Sequence, residues 1–399
     1  MILSSQKTSQ QYLKQKVSRA ALLFWVVLGF VIGSSIGHFI FQADKGDHVK
    51  FTMVYSSEKA SWIGEIQPLF LEYWAKKMQE NSSLKPISLD FQPYGSGDSL
   101  IALLNGEIKP TIWSPASNIW VPLLNSKWMS LNNDDNLIVS NYSRYIYSPV
   151  VIATWENFLS QHPFKGFQQL HSIIAANPGL VKMAHCDPRQ SNSGFMATVM
   201  MVSSQLNKNP EAITLADIAS DEVIQYMREI ESAAIFYGKS TGFLGKYMRD
   251  QGPDALQIAI LYENLIVDYS KAAEQKFGQK IKAVYPEEGA LFSDHPFCIL
   301  NTDWVSPEQH YVAIEFLKFL SQPDVIRRAI VSGFRPIDDS LLNNPEIQQT
   351  LLNSFNEENG VISNQSLILE LQAPTDGNVI ARIPDLWLLT RNRNTAEVS

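Results

Sequence analysis

The stretch His185-Cys186-Asp187-Pro188-Arg189-Gln190-Ser191-Asn192-Ser193-Gly194-Phe195 lies between an apolar run at 180–184 and a helical pattern at 195–206. It predicts a strand that empties into a Ser/Asn/Gly turn and then a helix. Such a turn gathers free backbone N–H groups and short hydroxyls at one place, where an anionic group can dock. Ser and Asn are also the commonest helix caps, so the stretch alone leaves capping and binding open.

The same order recurs upstream. The apolar run Phe51-Thr52-Met53-Val54-Tyr55 leads into Ser56-Ser57-Glu58-Lys59 and an amphipathic helix over 61–79. A strand at 87–92 leads into Pro93-Tyr94-Gly95-Ser96-Gly97, and Thr111-Ile112-Trp113 into Ser114-Pro115-Ala116-Ser117. Three consecutive strand-to-helix turns thus carry serine at the strand's carboxyl end. In an open parallel sheet those ends share one edge, where crevice ligands bind.

Downstream, strands are expected at 149–155, 258–261 and 281–285, with helices over 307–320 and 322–331. The turn Tyr237-Gly238-Lys239-Ser240-Thr241-Gly242 resembles a nucleotide P-loop only superficially, because position 233, where that motif needs glycine, is Ala233. Residues 338–399 are Asn-rich in places but hold apolar runs such as 366–371, so part of this tail is expected to pack on the body.

Charge divides the chain. Residues 1–43 contain Lys7, Lys14, Lys16 and Arg19 and no acid, while the remainder holds 28 bases against 40 acids, a net −12. An acidic body excludes a general nucleic-acid surface. Residues 20–41 carry no formal charge, and as a helix they would measure roughly 33 Å, the thickness of a bilayer's hydrocarbon core. With the four bases ahead of them, they predict an uncleaved signal anchor: a cytoplasmic 1–19, a span at 20–41, and an exported remainder on the periplasmic or extracellular side of the inner membrane.

Cys186 and Cys298 are the two cysteines, and the sequence leaves one disulfide or two buried thiols open. His185-Cys186-Asp187 lacks the second ligand cluster of a zinc site, so no metal and no cofactor are expected.

Taken in order, these motifs, together with Leu261-Tyr262-Glu263-Asn264, Tyr285-Pro286-Glu287-Glu288-Gly289 and Ser293-Asp294-His295-Pro296-Phe297, resemble the type II periplasmic solute-binding proteins. The similarity is to the branch of molybdate and sulfate binders and of the solute-binding regions associated with von Willebrand A domains. The resemblance implies a two-lobed α/β fold that closes around a solute by hinge motion. Residues 50–150 plus 297–399 would form the first lobe and 151–296 the second. It also implies that Ser56, Ser57, Ser96 and Ser114 serve a small solute from the first lobe, and Ser191, Ser193 and Tyr262 from the second. Glu263 departs from the oxoanion binders: facing the cleft it would repel a naked oxoanion and favour a cationic or hydroxylated ligand, unless Lys239 or another base pairs with it.

The expected function is capture of a small anionic or polar solute and its presentation to a transporter or signalling partner in the same membrane. A ligand-free interaction or assembly module is the alternative. An enzyme, a hydrolase above all, finds no support in a Gly-x-Ser-x-Gly elbow or in clustered histidines, and no catalytic residue is assigned.

Overall fold

The computed structural model describes residues 48–133 and 135–395. The span expected at 20–41 lies outside them; among the described residues no helix is long and apolar enough to cross a membrane.

The first lobe opens with β1 (Val49–Ser56), flanked in parallel by β2 (Ile87–Tyr94) and β3 (Ile112–Ser114). Strand β1 alternates at its start, with Lys50 exposed, and is buried from Met53 to Ser56, where it is covered on both faces. Helix α1 (Ala60–Glu80) buries Trp62, Ile63, Ile66, Phe70 and Trp74, a stripe at helical spacing. The connections after β2 and β3 form α2 (Ser96–Leu104) and α3 (Trp120–Asn132).

The chain then crosses to the second lobe along β4 (Ile146–Trp155). Helices α4 (Glu156–Gln161) and α5 (Phe167–Ala176) lead to β5 (Met183–Cys186) and α6 (Asn192–Leu206). Helix α6 is buried on all sides from Asn192 to Ser204, as a helix at the centre of a domain must be. It starts three residues before the expected Phe195, which puts Ser193 inside its first turn. Next come α7 (Leu215–Ile218), α8 (Asp221–Glu231), β6 (Ala234–Gly238), α9 (Thr241–Gln251), β7 (Ile258–Tyr262), α10 (Glu263–Phe277) and β8 (Ile281–Val284).

The return passes through two two-residue strands, β9 (Phe292–Ser293) and β10 (Cys298–Ile299). Strand β10 closes the first sheet in the order β10-β3-β1-β2. Helices α11 (Pro307–Leu320) and α12 (Pro323–Val331) complete the first lobe's core, where Phe51, Phe70 and Phe316 meet, the last two edge to face at 4.9 Å. Strand β11 (Arg335–Pro336) joins the second sheet, ordered β11-β4-β7-β5-β6 with β8 and β9 also on β4.

The tail does pack on the body. Helix α13 (Pro345–Ser354), capped by Asn344, lies against α12. Ala290 bridges to Glu370. Helix α14 (Gly377–Thr390) buries Val379, Ile383, Leu386 and Trp387 against α6, α7 and α8. The final helix therefore sits on the second lobe, although 297–399 were counted with the first.

Candidate functional site

Parallel pairing fixes where the strand ends deliver their side chains. In the first lobe Ser56 lies opposite Tyr94, and Tyr55 opposite Ser114, so the turns that follow β1, β2 and β3 share one edge. In the second lobe Cys186 lies opposite Gly238, and β7 runs parallel on the other side of β5. The turns bearing Ser191, Thr241 and Tyr262 therefore meet as well.

The hydroxyls at these helix starts are not consumed by capping. Ser56, Ser191 and Ser240 occupy N-cap positions, and none makes a side-chain capping bond. Ser56 and Ser191 bond laterally instead. Thr241 Oγ1 donates to Ser193 Oγ at 2.8 Å and lies 3.1 Å from Ser191 Oγ. Asn192 Nδ2 donates to Tyr262 OH at 2.8 Å and to Ser293 Oγ at 2.9 Å. In the first lobe Ser56 Oγ donates to Glu58 Oε1 at 2.5 Å, Ser96 Oγ accepts from Ala116 N at 3.0 Å, and Ser114 Oγ accepts from Lys59 Nζ at 2.6 Å.

The two sets face each other and touch. Gln190 O accepts from Gly97 N at 2.8 Å and Asp98 N at 3.2 Å; Ser57 Oγ accepts from Gly242 N at 3.0 Å. Each lobe thus fills a helix N-terminus of the other. Trp120 Nε1 donates across to Asn192 Oδ1 at 2.8 Å, and Asn264 Nδ2 to Glu58 O at 3.2 Å. Glycine is required at the contact: a Cβ on Gly95 would lie 2.5 Å from Gln190 O, and one on Gly242 2.6 Å from Ser57 O. Ser56, Ser96, Ser114, Ser191, Ser193 and Tyr262 are all buried, and Ser57 is half-buried.

Charge is concentrated on the first-lobe side. Lys59 donates to Ser114 O, Ser114 Oγ and Pro115 O and lies over the Phe297 ring; burial pushes its pKa down to about 7. Burial alone would raise the Glu58 carboxyl, but His295, Lys59 and Ser56 outweigh it and hold the group below the usual range. His295 Nδ1 lies 3.3 Å from Glu58 Oε1, yet neither ring nitrogen makes an aligned hydrogen bond, and burial lowers its pKa against the pull of Glu58. The His295 ring meets Tyr262 edge-on at 5.8 Å.

Glu263 stands apart from this cluster in its bonding. Arg335 grips both carboxylate oxygens at 2.8 Å, and Tyr285 OH donates to the same group. Its partner is therefore Arg335 and not Lys239, and the pair fixes the start of α10 directly after Tyr262. Both cysteines are free and buried; burial raises the Cys186 thiol to about 11. Among the described residues no group of three or more His, Cys, Asp and Glu could hold a metal. A cavity of about 590 Å³ opens beside the crossover strands, lined by Asn118, Arg144, Tyr147, Met196 and Asp294 and walled by the tail at Gln365.

Thr241, Asn192, Trp120 and Arg335 escaped the sequence reading. Thr241 and Asn192 adjoin residues it singled out, but nothing local marks Trp120 or Arg335, whose partners are 72 residues away in each case.

Residues 63–335 match the family of bacterial extracellular solute-binding proteins. No curated protein matches the chain. Similar solved structures include the sulfate-binding protein SubI from Mycobacterium tuberculosis, at 15% identity and a TM-score of 0.52 over 74% of this chain and 90% of that one. A periplasmic thiamin binding protein aligns at 12% identity and a TM-score of 0.55, covering 86% of this chain and 96% of its own. AfuA, a periplasmic binding protein from Actinobacillus pleuropneumoniae described with fructose-6-phosphate bound, aligns at 12% identity and a TM-score of 0.57, covering 86% and 98%. At these identities the likeness is one of fold.

Proposed function

This chain belongs to the bacterial extracellular solute-binding proteins, and we propose that it captures a small polar solute between its lobes and presents the closed form to a membrane partner. The family is one of solute-binding proteins and not of enzymes. The observation that carries the reading is the convergence of uncapped serine hydroxyls from both lobes on one buried seam. Ser56, Ser57, Ser96 and Ser114 would meet the solute from one side, and Ser191, Ser193 and Tyr262 from the other, with Glu263 positioning Tyr262 through its pair with Arg335.

Capture needs the direct cross-lobe bonds to open and then re-form around the solute, a hinge motion along β4 and the return at residues 292–298. The partner is an ABC-type permease or a sensor in the same membrane. The charge-free residues 20–41, preceded by four bases, support tethering there with the body exported.

A second reading, a solute-free assembly module, is favoured by the same cross-lobe bonds, since protein groups join the lobes directly. A thermal-shift screen of the full chain in detergent separates the two. Under solute binding, one chemical class raises the melting temperature, with about 2.7 kcal/mol gained at a hundredfold excess over Kd, and Ser193→Ala removes the effect. If oxoanions, sugar phosphates, sugars, amino acids and amines all leave the transition unmoved, the capture reading fails and the module stands.

A further inference from the structure

Several donors of the inter-lobe seam are already engaged. The N-terminus of α2 is filled by Gln190 O, and that of α9 by Ser57 Oγ. Ala116 N goes to Ser96, Asn264 N to Ser148 Oγ at 3.1 Å, and all three Lys59 donors to oxygens of residues 114 and 115. A bare oxoanion, which can only accept, finds these positions occupied.

The acceptors are not. Asn264 Oδ1 is buried without a hydrogen-bond partner, and its orientation is fixed because Nδ2 of the same amide donates to a backbone carbonyl, which can only accept. The His295 ring is fully buried with both nitrogens lacking an aligned bond, so the neutral imidazole offers a second open acceptor. His295 holds a left-handed backbone, φ 43°, uncommon outside glycine, with its N–H donating to Ala116 O at 3.0 Å. The Glu58 carboxylate lies against this ring and is itself buried. Buried polar atoms left unsatisfied call for an explanation, and a bound donor supplies one.

We infer that the seam between the lobes selects a solute bearing a primary ammonium group over a bare oxoanion, with Glu58, Asn264 Oδ1 and the His295 imidazole accepting its N–H bonds. The inference rests on the solute-binding reading and adds the charge class to it. Glu58 is kept ionised in its site, so the carboxylate is available across the neutral range. An ammonium hydrogen-bonded to a buried carboxylate is among the stronger polar contacts a protein makes.

The test is isothermal titration of the full-length protein in detergent with putrescine, ethanolamine, choline, sulfate and phosphate. A primary amine is expected to bind at least about tenfold more tightly than either oxoanion, and more tightly than choline, whose quaternary nitrogen has no N–H to donate. Glu58→Gln should weaken the amine by about tenfold or more, while Glu65→Gln, on the exposed pair with Arg328, should leave it unchanged. If Glu58→Gln fails to fold by circular dichroism, Asn264→Ala, which removes the open acceptor, is expected to give the same loss. Tight sulfate or phosphate binding that depends on Ser193 would overturn the charge assignment and leave solute capture intact. So would amine binding that survives both variants. Absence of binding by amines and by every other class overturns both readings together.

Discussion

Gly95 is where closure can be tested most directly. Its backbone, φ −71° and ψ 149°, is ordinary extended geometry, so alanine fits the chain locally and its effect is steric. The added Cβ would lie 2.5 Å from Gln190 O and 2.8 Å from Lys239 O, both in the second lobe, where ordinary contact begins at 3.4 Å. The lobes must therefore separate by about 0.9 Å here, the difference between 3.4 and 2.5 Å. That displacement takes the Gly97 and Asp98 bonds to Gln190 O, now 2.8 and 3.2 Å, beyond hydrogen-bonding range. Two bonds at about 0.5–1.5 kcal/mol each disfavour the closed form by about 1–3 kcal/mol, or roughly 5- to 150-fold. Solute affinity should fall by up to the same factor as the binding-competent fraction shrinks. Spin labels on the two lobes, read by pulsed electron resonance, report the distance. Gly95→Ser keeps a capping residue at the N-cap while adding the same Cβ, so it must open the lobes as Gly95→Ala does. If both variants fold and the inter-lobe distance is unchanged, the contact does not hold the lobes and the reasoning is wrong.

Two further predictions concern the second lobe. Glu263→Gln or Arg335→Met breaks a buried bidentate pair that also stacks on Phe355 at 4.1 Å, and each should cost about 3–5 kcal/mol in urea denaturation. The double variant Glu263→Leu/Arg335→Met should recover much of that loss, because no unpaired charge remains. For His185, burial lowers the pKa, but Glu231 at 3.0 Å, with help from the Cys186 carbonyl, outweighs it and raises the folded value above the ordinary one. The sign follows: the stabilisation is fully present below the unfolded value of about 6.5 and is lost as pH rises through the folded value. The stability difference between the wild type and His185→Gln, followed by urea midpoints, should therefore be largest in acid and narrow with rising pH; a difference that widens would refute the assignment.

Much of the fold was legible because its strands are short apolar runs punctuated by small polar turns. The helix expected over 307–320 is the one observed, since Ser306 and Gln309 form a capping box and Pro307 sits at its first position. Strands at the crossover were harder: the return at 292–299 holds two two-residue strands separated by the left-handed turn at His295. The serines of the candidate site were visible because each follows a strand. Their chemistry was not, because it depends on what lies opposite. Nothing in Gly95-Ser96-Gly97 announces that a carbonyl from residue 190 fills that helix start, nor that Arg335, on the far side of the chain, takes up Glu263.

Helix α14 lies outside the matched residues 63–335, yet it bears on the seam through one dipeptide. Trp387 is buried and meets two guanidinium groups, Arg189 at 5.3 Å and Arg391 at 5.1 Å. Arg189 is joined to Gln190, whose carbonyl caps the opposite lobe. The tail helix thus reaches the seam through one residue step: the side chain that Trp387 holds belongs to the neighbour of the residue whose carbonyl takes two of the cross-lobe bonds.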